Sequence, residues 1–228
     1  AANLRALRLL WAAVVEAYKA EPALATSLRI HSVTSSWYQT TLDPYVNMLR
    51  TTTEAMSAVI AGCDSLTVTP FDSTFKESDE FSERIARNVS TILKEEAYLD
   101  KAIDPAAGSY YVESLTNQLA EKAWALFTDI ESAGGYLQAA KSGLIQQKIE
   151  EVKAQKLKNL SRRKDNLVGT NQFANTLEKL PEELLNDITT VAGSRASSPF
   201  DLLRLRTAKF EQSAGKKVKV QLVLLGSN

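Results

Sequence analysis

The sequence predicts a protein of the α/β class, in which helices alternate with strands that pair in parallel. Two short segments rich in β-branched residues, SLRIHSVTS and CDSLTVTP, are each followed by a longer amphipathic stretch. Strands that alternate with helices of roughly 15 to 20 residues are typical of βα units, which build parallel sheets. Only two or three strands are visible, which is too few for a closed eight-stranded barrel. The chain could therefore be the second half of one.

Composition and charge narrow the classes of function. The 228 residues include 27 basic and 27 acidic side chains, and 44% are hydrophobic, as in ordinary globular proteins. A balanced charge argues against nucleic acid or an anionic membrane as the main partner. The one cysteine, Cys63, excludes an internal disulfide and suits a reducing cytoplasm. No apolar run reaches the roughly 18 residues that are needed to span a bilayer.

Both ends of the chain lie in patterned segments. The start, NLRALRLLWAAVVEAY, predicts an amphipathic helix. Its expected apolar face consists of Leu4, Leu7, Leu10, Trp11, Val14, Val15 and Tyr18. The end, KKVKVQLVLLG, predicts a strand over 218–225 that resembles the first strand of an α/β domain. We therefore interpret the chain as a fragment of a larger polypeptide.

The first strand and the helix after it raise a question about polar residues. In the strand segment, Leu28, Ile30 and Ser32 alternate with Arg29, His31 and Val33. A helix should follow from Pro44 to about Ala61, since Asp43 can cap it and proline suits the first helical position. Its polar members, Asn47 and the run 50–54, are unusual for a buried helix. They could face water, a ligand or another subunit.

The second strand, CDSLTVTP, ends at Pro70, and the remaining chain is mostly helical. A helix is predicted from Phe81 or Ser82, and a long helix from the Gly108–Ser109 turn through about Ile130, with a stop at Gly134–Gly135. A helix pair broken at Gly143 should follow, and then a short apolar strand from about Leu167 with an irregular stretch after it. The segment TTVAGSRASSPF predicts a loop or linker, and FDLLRLRTAKFEQSAGKK predicts a last helix.

The single histidine and the single cysteine do not form a known catalytic or metal-binding pattern with other residues of the sequence. His31 is the only histidine, and it is read as a strand residue packed against a neighbour rather than as a metal ligand or general acid. Cys63 has no cysteine or histidine partner at metal-binding spacing, which favours a buried structural thiol. One histidine without a nucleophile-elbow motif also leaves little support for a hydrolase.

Eight motifs in one order resemble a known family. They are SLRIHSVTSSW, DPYVNMLRTTTEAMSAVIAG, DSLTVTPFD, FSERIARN, EE, IDPAAGSYYVESLTNQLAEKAWALF, IESAGG and GTNQF. Together they resemble the substrate barrel of methylmalonyl-CoA mutase, the family of adenosylcobalamin-dependent acyl-CoA mutases, over roughly residues 4–175. The resemblance implies the C-terminal part of a (β/α)8 TIM barrel in 1–175, a linker with helical segments in 176–217 toward a flavodoxin-like domain, and the first strand of that truncated domain in 218–228.

The resemblance also implies a chemistry and its ligands. In the family, coenzyme A threads along the barrel axis, and homolysis of the cobalt–carbon bond starts the rearrangement of methylmalonyl-CoA to succinyl-CoA. The cofactor supplies the radical chemistry, and the protein supplies positioning and a dry cavity. By alignment, Glu113 could contact the adenosyl ribose, while Arg29 and Ser32 could contact coenzyme A. No catalytic or metal-binding residue is assigned, because the family's cobalt ligand lies in the other domain.

The same resemblance makes the helix that starts at Asp43 an outer barrel helix. On that interpretation its polar residues should meet neighbouring helices or a partner subunit.

Departures from the family pattern point to a chain without an active site. Active chains read close to HSQTSGW, whereas this chain has HSVTSSW, so Val33 replaces a glutamine and Ser36 a glycine. Active chains also read close to HTQSLHTN. Here GCDSLTVT puts Gly-Cys-Asp, ending in Asp64, in place of His-Thr-Gln, and Thr67 replaces the second histidine. Valine has none of the donors and acceptors of an amide. We therefore predict the non-catalytic small subunit of a heterodimer, in which neither adenosylcobalamin nor coenzyme A is bound productively.

Two other functions stay open. The chain could itself be a catalytic mutase with an altered pocket, or it could be a non-enzymatic scaffold or cobalamin-handling module. A YHMQEAG-like stretch upstream and an Asp-x-His-x-x-Gly motif downstream would mark an active chain. Half a barrel also leaves strand edges open, so the fragment could associate with a second copy as well as with a large subunit.

Overall fold

The computed structural model describes residues 1–175, 177–178, 180, 182–186 and 193–220. The elements of these described residues are the helices Ala2–Ala17 (α1), Ala23–Thr26 (α2), Val46–Ile60 (α3), Glu80–Glu95 (α4), Tyr110–Ser132 (α5), Tyr136–Lys141 (α6), Leu144–Ser161 (α7), Glu182–Asn186 (α8) and Ser198–Ala214 (α9), the short 3-10 helix Ser36–Tyr38, and the strands His31–Val33 (β1) and Ser65–Thr67 (β2).

The two strands pair in parallel, as the sequence predicts. Their register aligns His31 with Ser65, Ser32 with Leu66 and Val33 with Thr67. Because α3 connects them, β1, α3 and β2 form a βαβ unit. The α/β class with a parallel sheet is confirmed, and this helix-rich unit is consistent with a piece of a (β/α)8 barrel domain.

Helices cover one face of this strand pair. Leu66 and Val68 pack against a buried cluster formed by Ala55 of α3 and by Val89 and Leu93 of α4. Side chains alternate along a strand, so the other face is left open. The alternation that the sequence predicts in β1 is confirmed, since Ile30 is buried whereas His31 and Val33 are exposed.

Helix α4 begins one residue earlier than its apolar pattern suggests. The Asp79 carboxylate accepts a hydrogen bond from the Ser82 backbone N–H at 2.9 Å, and the Asp79 N–H donates to Ser82 Oγ at 3.1 Å. This reciprocal capping satisfies N–H groups that have no partner within the helix. The cap, rather than the first apolar residue, fixes where the helix starts.

Helix α1 buries only part of the predicted apolar face, together with two alanines outside it. Ala2, Ala6 and Val15 are buried, whereas Leu7 is 46% exposed and Tyr18 is 79% exposed. The prediction was wrong for these two residues because α1 packs along α5, and small alanines allow that close approach. Periodicity finds the apolar stripe, but the neighbouring helix decides which part of it is covered.

The stretch that begins at Leu167 forms a turn and not the predicted strand. Within the described residues, Val168 makes only an isolated bridge to Gln172. The buried Asn171 side chain organises the turn, since its Oδ1 accepts from the Leu167 N–H and its Nδ2 donates to the carbonyls of Leu160 and Asp165. An amide that satisfies local backbone groups in this way competes with strand pairing.

Helix α9 packs against the segment that follows β1. Leu205 is fully buried beside Leu42, Leu184 and Leu185. The Ala196 N–H, just before α9, donates to the Trp37 carbonyl at 2.9 Å. The strand predicted from Val218 falls largely on 221–228, which lie outside the described residues, and 217–220 have no regular secondary structure.

Candidate functional site

The open face of the strand pair presents a short polar row. His31 stands between two hydroxyl groups of β2, with Nδ1 2.7 Å from Ser65 Oγ and Nε2 3.2 Å from Thr67 Oγ1. One hydroxyl donates to the ring and the other accepts from it, according to the tautomer. The histidine is therefore bonded to its neighbouring strand through both ring nitrogens, which agrees with a packed strand residue.

Two of the departures from the family pattern are direct neighbours on this face. Val33 and Thr67 are register partners at the ends of β1 and β2. Val33 is 59% exposed and offers no hydrogen-bonding atom, while the Thr67 hydroxyl contacts His31. At this pair, one apolar side chain and one hydroxyl already in contact stand where the resemblance expects an amide and an imidazole.

Ser32 lies on the other side of the strand from this row. It pairs in register with Leu66, which packs toward α3 and α4, and it shares its face with the buried residues Ile30 and Thr34. The structure thus places Ser32 toward the helices and not beside Val33. A contact with coenzyme A at Ser32 stays a prediction.

Asp64 joins the amino ends of both strands to α1. Its Oδ2 accepts from the Ile30 N–H at 2.8 Å and from Arg8 at 3.0 Å, and its Oδ1 accepts from Arg29 at 3.2 Å. The Ile30 N–H, followed by the Arg8 guanidinium, lowers the pKa of the Asp64 carboxyl. In (β/α)8 barrels the amino ends of the strands serve stability, whereas the carboxyl ends carry catalysis.

Arg29 is therefore placed beside Asp64 at this end. Its side chain is 86% exposed, and its contact with Asp64 is the one that the structure gives it.

Glu113 lies at a separate point, at the start of α5. Its Oε1 accepts from Arg5 at 2.7 Å and from the Gly108 N–H at 3.0 Å. These two donors, Arg5 first, lower the pKa of Glu113. Arg5 also contacts Asp104 at 3.3 Å. The carboxylate predicted to meet the adenosyl ribose is thus held within the chain.

The sequence analysis missed the two arginines of α1. Arg5 binds Glu113, and Arg8 binds Asp64 together with the carbonyls of Leu28 and Gly62. They lie three positions apart and so share one side of the helix. Two arginines at that spacing in an otherwise apolar helix were the available signal, but their partners lie far away in sequence.

The polar residues of α3 bind loops at the carboxyl ends of the strands. Asn47 is fully buried, and it donates to the carbonyls of Thr40 and Phe71. Arg50 donates to Asn47 Oδ1 at 2.9 Å and to the Val168 carbonyl. Burial lowers the pKa of Arg50, which reflects how far its guanidinium is removed from water.

Glu54 and the three threonines complete this pattern. The Glu54 carboxylate accepts from the Ser35 N–H at 2.7 Å, and burial raises its pKa. Thr51, Thr52 and Thr53 donate to carbonyls one turn back in their own helix. Asn47, Arg50 and Glu54 thus bind groups of nearby loops instead of the expected neighbouring helices. Contact of this helix with a partner subunit stays a prediction.

No metal site or membrane span emerges from the described ranges. None of their histidines, cysteines and acids forms a group of three that could hold a metal ion. None of their helices is long and apolar enough to cross a membrane. Val33 offers a ligand no hydrogen-bonding side-chain atom, and Thr67 and Glu113 already contact protein groups.

Comparison with known proteins agrees with the motifs. The model of the family described as methylmalonyl-CoA mutase matches residues 1–219. The chain is 42% identical to the "Methylmalonyl-CoA mutase small subunit" of Porphyromonas gingivalis, over 99% of this chain and 38% of that protein. It is 41% identical to the small subunit of Streptomyces virginiae, over 99% of this chain and 37% of that protein.

The chain is also similar to a large subunit. It is 38% identical to the "Methylmalonyl-CoA mutase large subunit" of Porphyromonas gingivalis, over 93% of this chain and 30% of that protein. The chain thus spans under two-fifths of the length of these curated relatives.

Proposed function

Because the chain belongs to the methylmalonyl-CoA mutase family, we propose that it is the barrel part of a non-catalytic small subunit, which pairs with a catalytic large subunit. The assembled enzyme converts methylmalonyl-CoA to succinyl-CoA with adenosylcobalamin. This chain stabilises the dimer and binds neither ligand productively. The names of its relatives support both subunit types.

The observation that carries this proposal is the pairing of Val33 with Thr67. Two ligand groups of active chains are missing at one place on the open face of the strand pair, where their loss acts together. A single substitution could be compensated by a neighbouring side chain. At this pair, each substituted residue has the other one as its neighbour, and the Thr67 hydroxyl contacts His31 at 3.2 Å. Ligands that need an amide and an imidazole at this point find neither.

Of the other residues predicted to contact a ligand, two are better explained by structural roles and one remains a candidate. The Arg5 ion pair supports a structural role for Glu113, and the helix-facing position of Ser32 supports the same for that residue. Arg29 is the best remaining candidate for a phosphate contact, because its side chain is 86% exposed. We place residues 1–175 in the barrel, 176–217 in a linker and 218–228 in a second α/β domain. The free thiol of Cys63 supports a cytoplasmic location.

Calorimetric titration tests the proposal directly. The full-length polypeptide is titrated with adenosylcobalamin and with methylmalonyl-CoA, first alone and then together with a large subunit. We expect no binding heat from the isolated small subunit, and ligand binding by the pair at one site per heterodimer. Saturable binding of either ligand to the isolated chain would refute the non-catalytic role.

A further inference from the structure

A long apolar cleft lies between α5 and α7. Its volume is about 580 Å³, and Trp37 and Leu126 line it together with one side of α7. That side carries Ile145, Ile149 and Val152. These positions are four and three residues apart, which is the spacing of a single helix face.

The cleft exposes more apolar surface than a helix face normally leaves in water. Ile149 is 55% exposed and Val152 is 56% exposed. From Ile145 to Lys156, the α7 lining extends for about 16 Å at the rise of an α-helix. A trough three turns long suits the apolar face of another helix better than a compact small molecule.

The charged side chains around the cleft carry an excess of positive charge. Lys148, Lys153 and Lys156 line it, and Lys156 Nζ lies 5.9 Å above the Trp37 ring. In the described part of the chain, no carboxylate lies within ion-pair distance of Lys148 or Lys156, and Lys153 reaches Glu150 only at 3.8 Å.

One acid of α7, Glu150, also lines the cleft, where three lysines outnumber it. Glu150 accepts from Gln146 at 3.0 Å, and Glu151 accepts from Gln147 at 2.9 Å. An apolar floor whose rim holds three lysines and one glutamate is net positive, and it is complementary to a helix that carries apolar residues on one face and acids beside them.

We propose that the cleft between α5 and α7 is the docking site for an acidic amphipathic helix of the large subunit. This inference rests on the proposed pairing of the two subunits and names the surface that carries it. Ile149 and Val152 supply the buried apolar contact. Lys148 and Lys156 set the orientation of the incoming helix and speed its association.

Titration of full-length small subunit against full-length large subunit by sedimentation tests the site. We expect I149D/V152D to raise the dissociation constant at least tenfold, because two carboxylates would enter the apolar contact. K148E/K156E should also weaken pairing and should remove most of its dependence on salt. Leu203→Asp on α9, at a side chain 65% exposed and outside the cleft, is the matched control and should pair like the unchanged protein.

A photo-crosslinker, p-benzoylphenylalanine in place of Val152, identifies the occupant. We expect its crosslinks to fall on an acidic helical peptide of the large subunit. The inference is overturned if I149D/V152D and K148E/K156E both pair with unchanged affinity. It is equally overturned if residue 152 crosslinks to an upstream segment of its own chain or to a second copy. If the unchanged subunits do not pair at any concentration, the proposed function itself fails, and the assigned partner fails with it.

Discussion

Asn47 and Thr40 exchange hydrogen bonds in both directions. Asn47 Oδ1 accepts from the Thr40 N–H at 2.9 Å, and Asn47 Nδ2 returns a bond to the Thr40 carbonyl at 2.8 Å. The Asn47 side-chain amide thus forms hydrogen bonds with the backbone of the segment after β1. The same Nδ2 also donates to the Phe71 carbonyl at 2.9 Å, after β2. One buried residue therefore connects the chain segments that follow both strands.

Replacement of Asn47 should strongly destabilise the fold. Asn47→Asp keeps the size of the side chain but removes the donors to the carbonyls of Thr40 and Phe71. The Thr40 carbonyl keeps a donor in Thr74 Oγ1 at 3.2 Å, whereas the Phe71 carbonyl loses its donor. A buried carbonyl that loses its partner costs roughly 1–3 kcal/mol, so we expect a loss of about 1–3 kcal/mol in the free energy of unfolding by urea. Thr53→Ala, on the same helix at an exposed site, is the control and should change stability by less than about 0.5 kcal/mol. Equal stabilities for the two variants would contradict the role of Asn47.

The hydrogen bonds and ion pairs of Asp64 should make the stability of the folded protein depend on pH. Its pKa is lowered in the folded protein, so its stabilising effect is present above the ordinary value of 3.8 and is lost as the pH falls through the folded pKa. We therefore expect Asp64→Asn to lower the melting temperature at pH 7 and to match the unchanged protein at strongly acidic pH. A difference that is independent of pH would show that charge is not the cause.

The two arginines at Asp64 should differ in importance. Arg8 also donates to the Leu28 and Gly62 carbonyls, whereas Arg29 is largely exposed and its contact with Asp64 is a surface ion pair. Arg8→Ala should therefore lower the melting temperature clearly, and Arg29→Ala should leave it nearly unchanged. Differential scanning calorimetry at low and high salt checks the ranking, and the reverse order would refute it.

The contribution of Asp201 to stability should change with pH in the direction opposite to that of Asp64. Burial raises the pKa of this carboxyl, although the Ser197 hydroxyl and Arg195 act against the shift. A raised folded pKa means that the group's stabilisation is present below its unfolded pKa and is lost as the pH rises through the folded value. Relative to Asp201→Asn, the unchanged protein should therefore lose stability as the pH rises above the ordinary carboxyl value of 3.8. Urea unfolding at several pH values measures this difference, and a constant offset would contradict it.

Helix α9 should behave as part of the core. Leu205 is 0% exposed, and Leu205→Ala should cost about 2–5 kcal/mol in the free energy of unfolding because it leaves a cavity beside Leu42. Leu203→Ala, two residues away and 65% exposed, should cost less than about 0.5 kcal/mol. If both variants unfold alike, Leu205 does not pack α9 against the segment that follows β1.

Local patterns located most elements but not their partners. The Gly134–Gly135 stop and the break at Gly143 are confirmed by α5, α6 and α7, because glycine adopts the positive φ found there, 83° at Gly135 and 81° at Gly143. The strand predicted at Leu167 failed because the side chain of Asn171 satisfied the local backbone groups instead. Asn47 and Glu54 of α3 could not be interpreted from their own helix, since their partners belong to segments elsewhere.

By itself, the sequence determined the order of most strands and helices and the family, and it predicted which ligand groups of active chains are absent. Short-range periodicity and motif order carry that information within single segments. Only the tertiary structure decided that Val33 faces Thr67, that Ser32 faces the helices, and that Arg5 holds Glu113. Register and ion pairing join residues that are 34 or 108 positions apart, and no local pattern specifies such a partner.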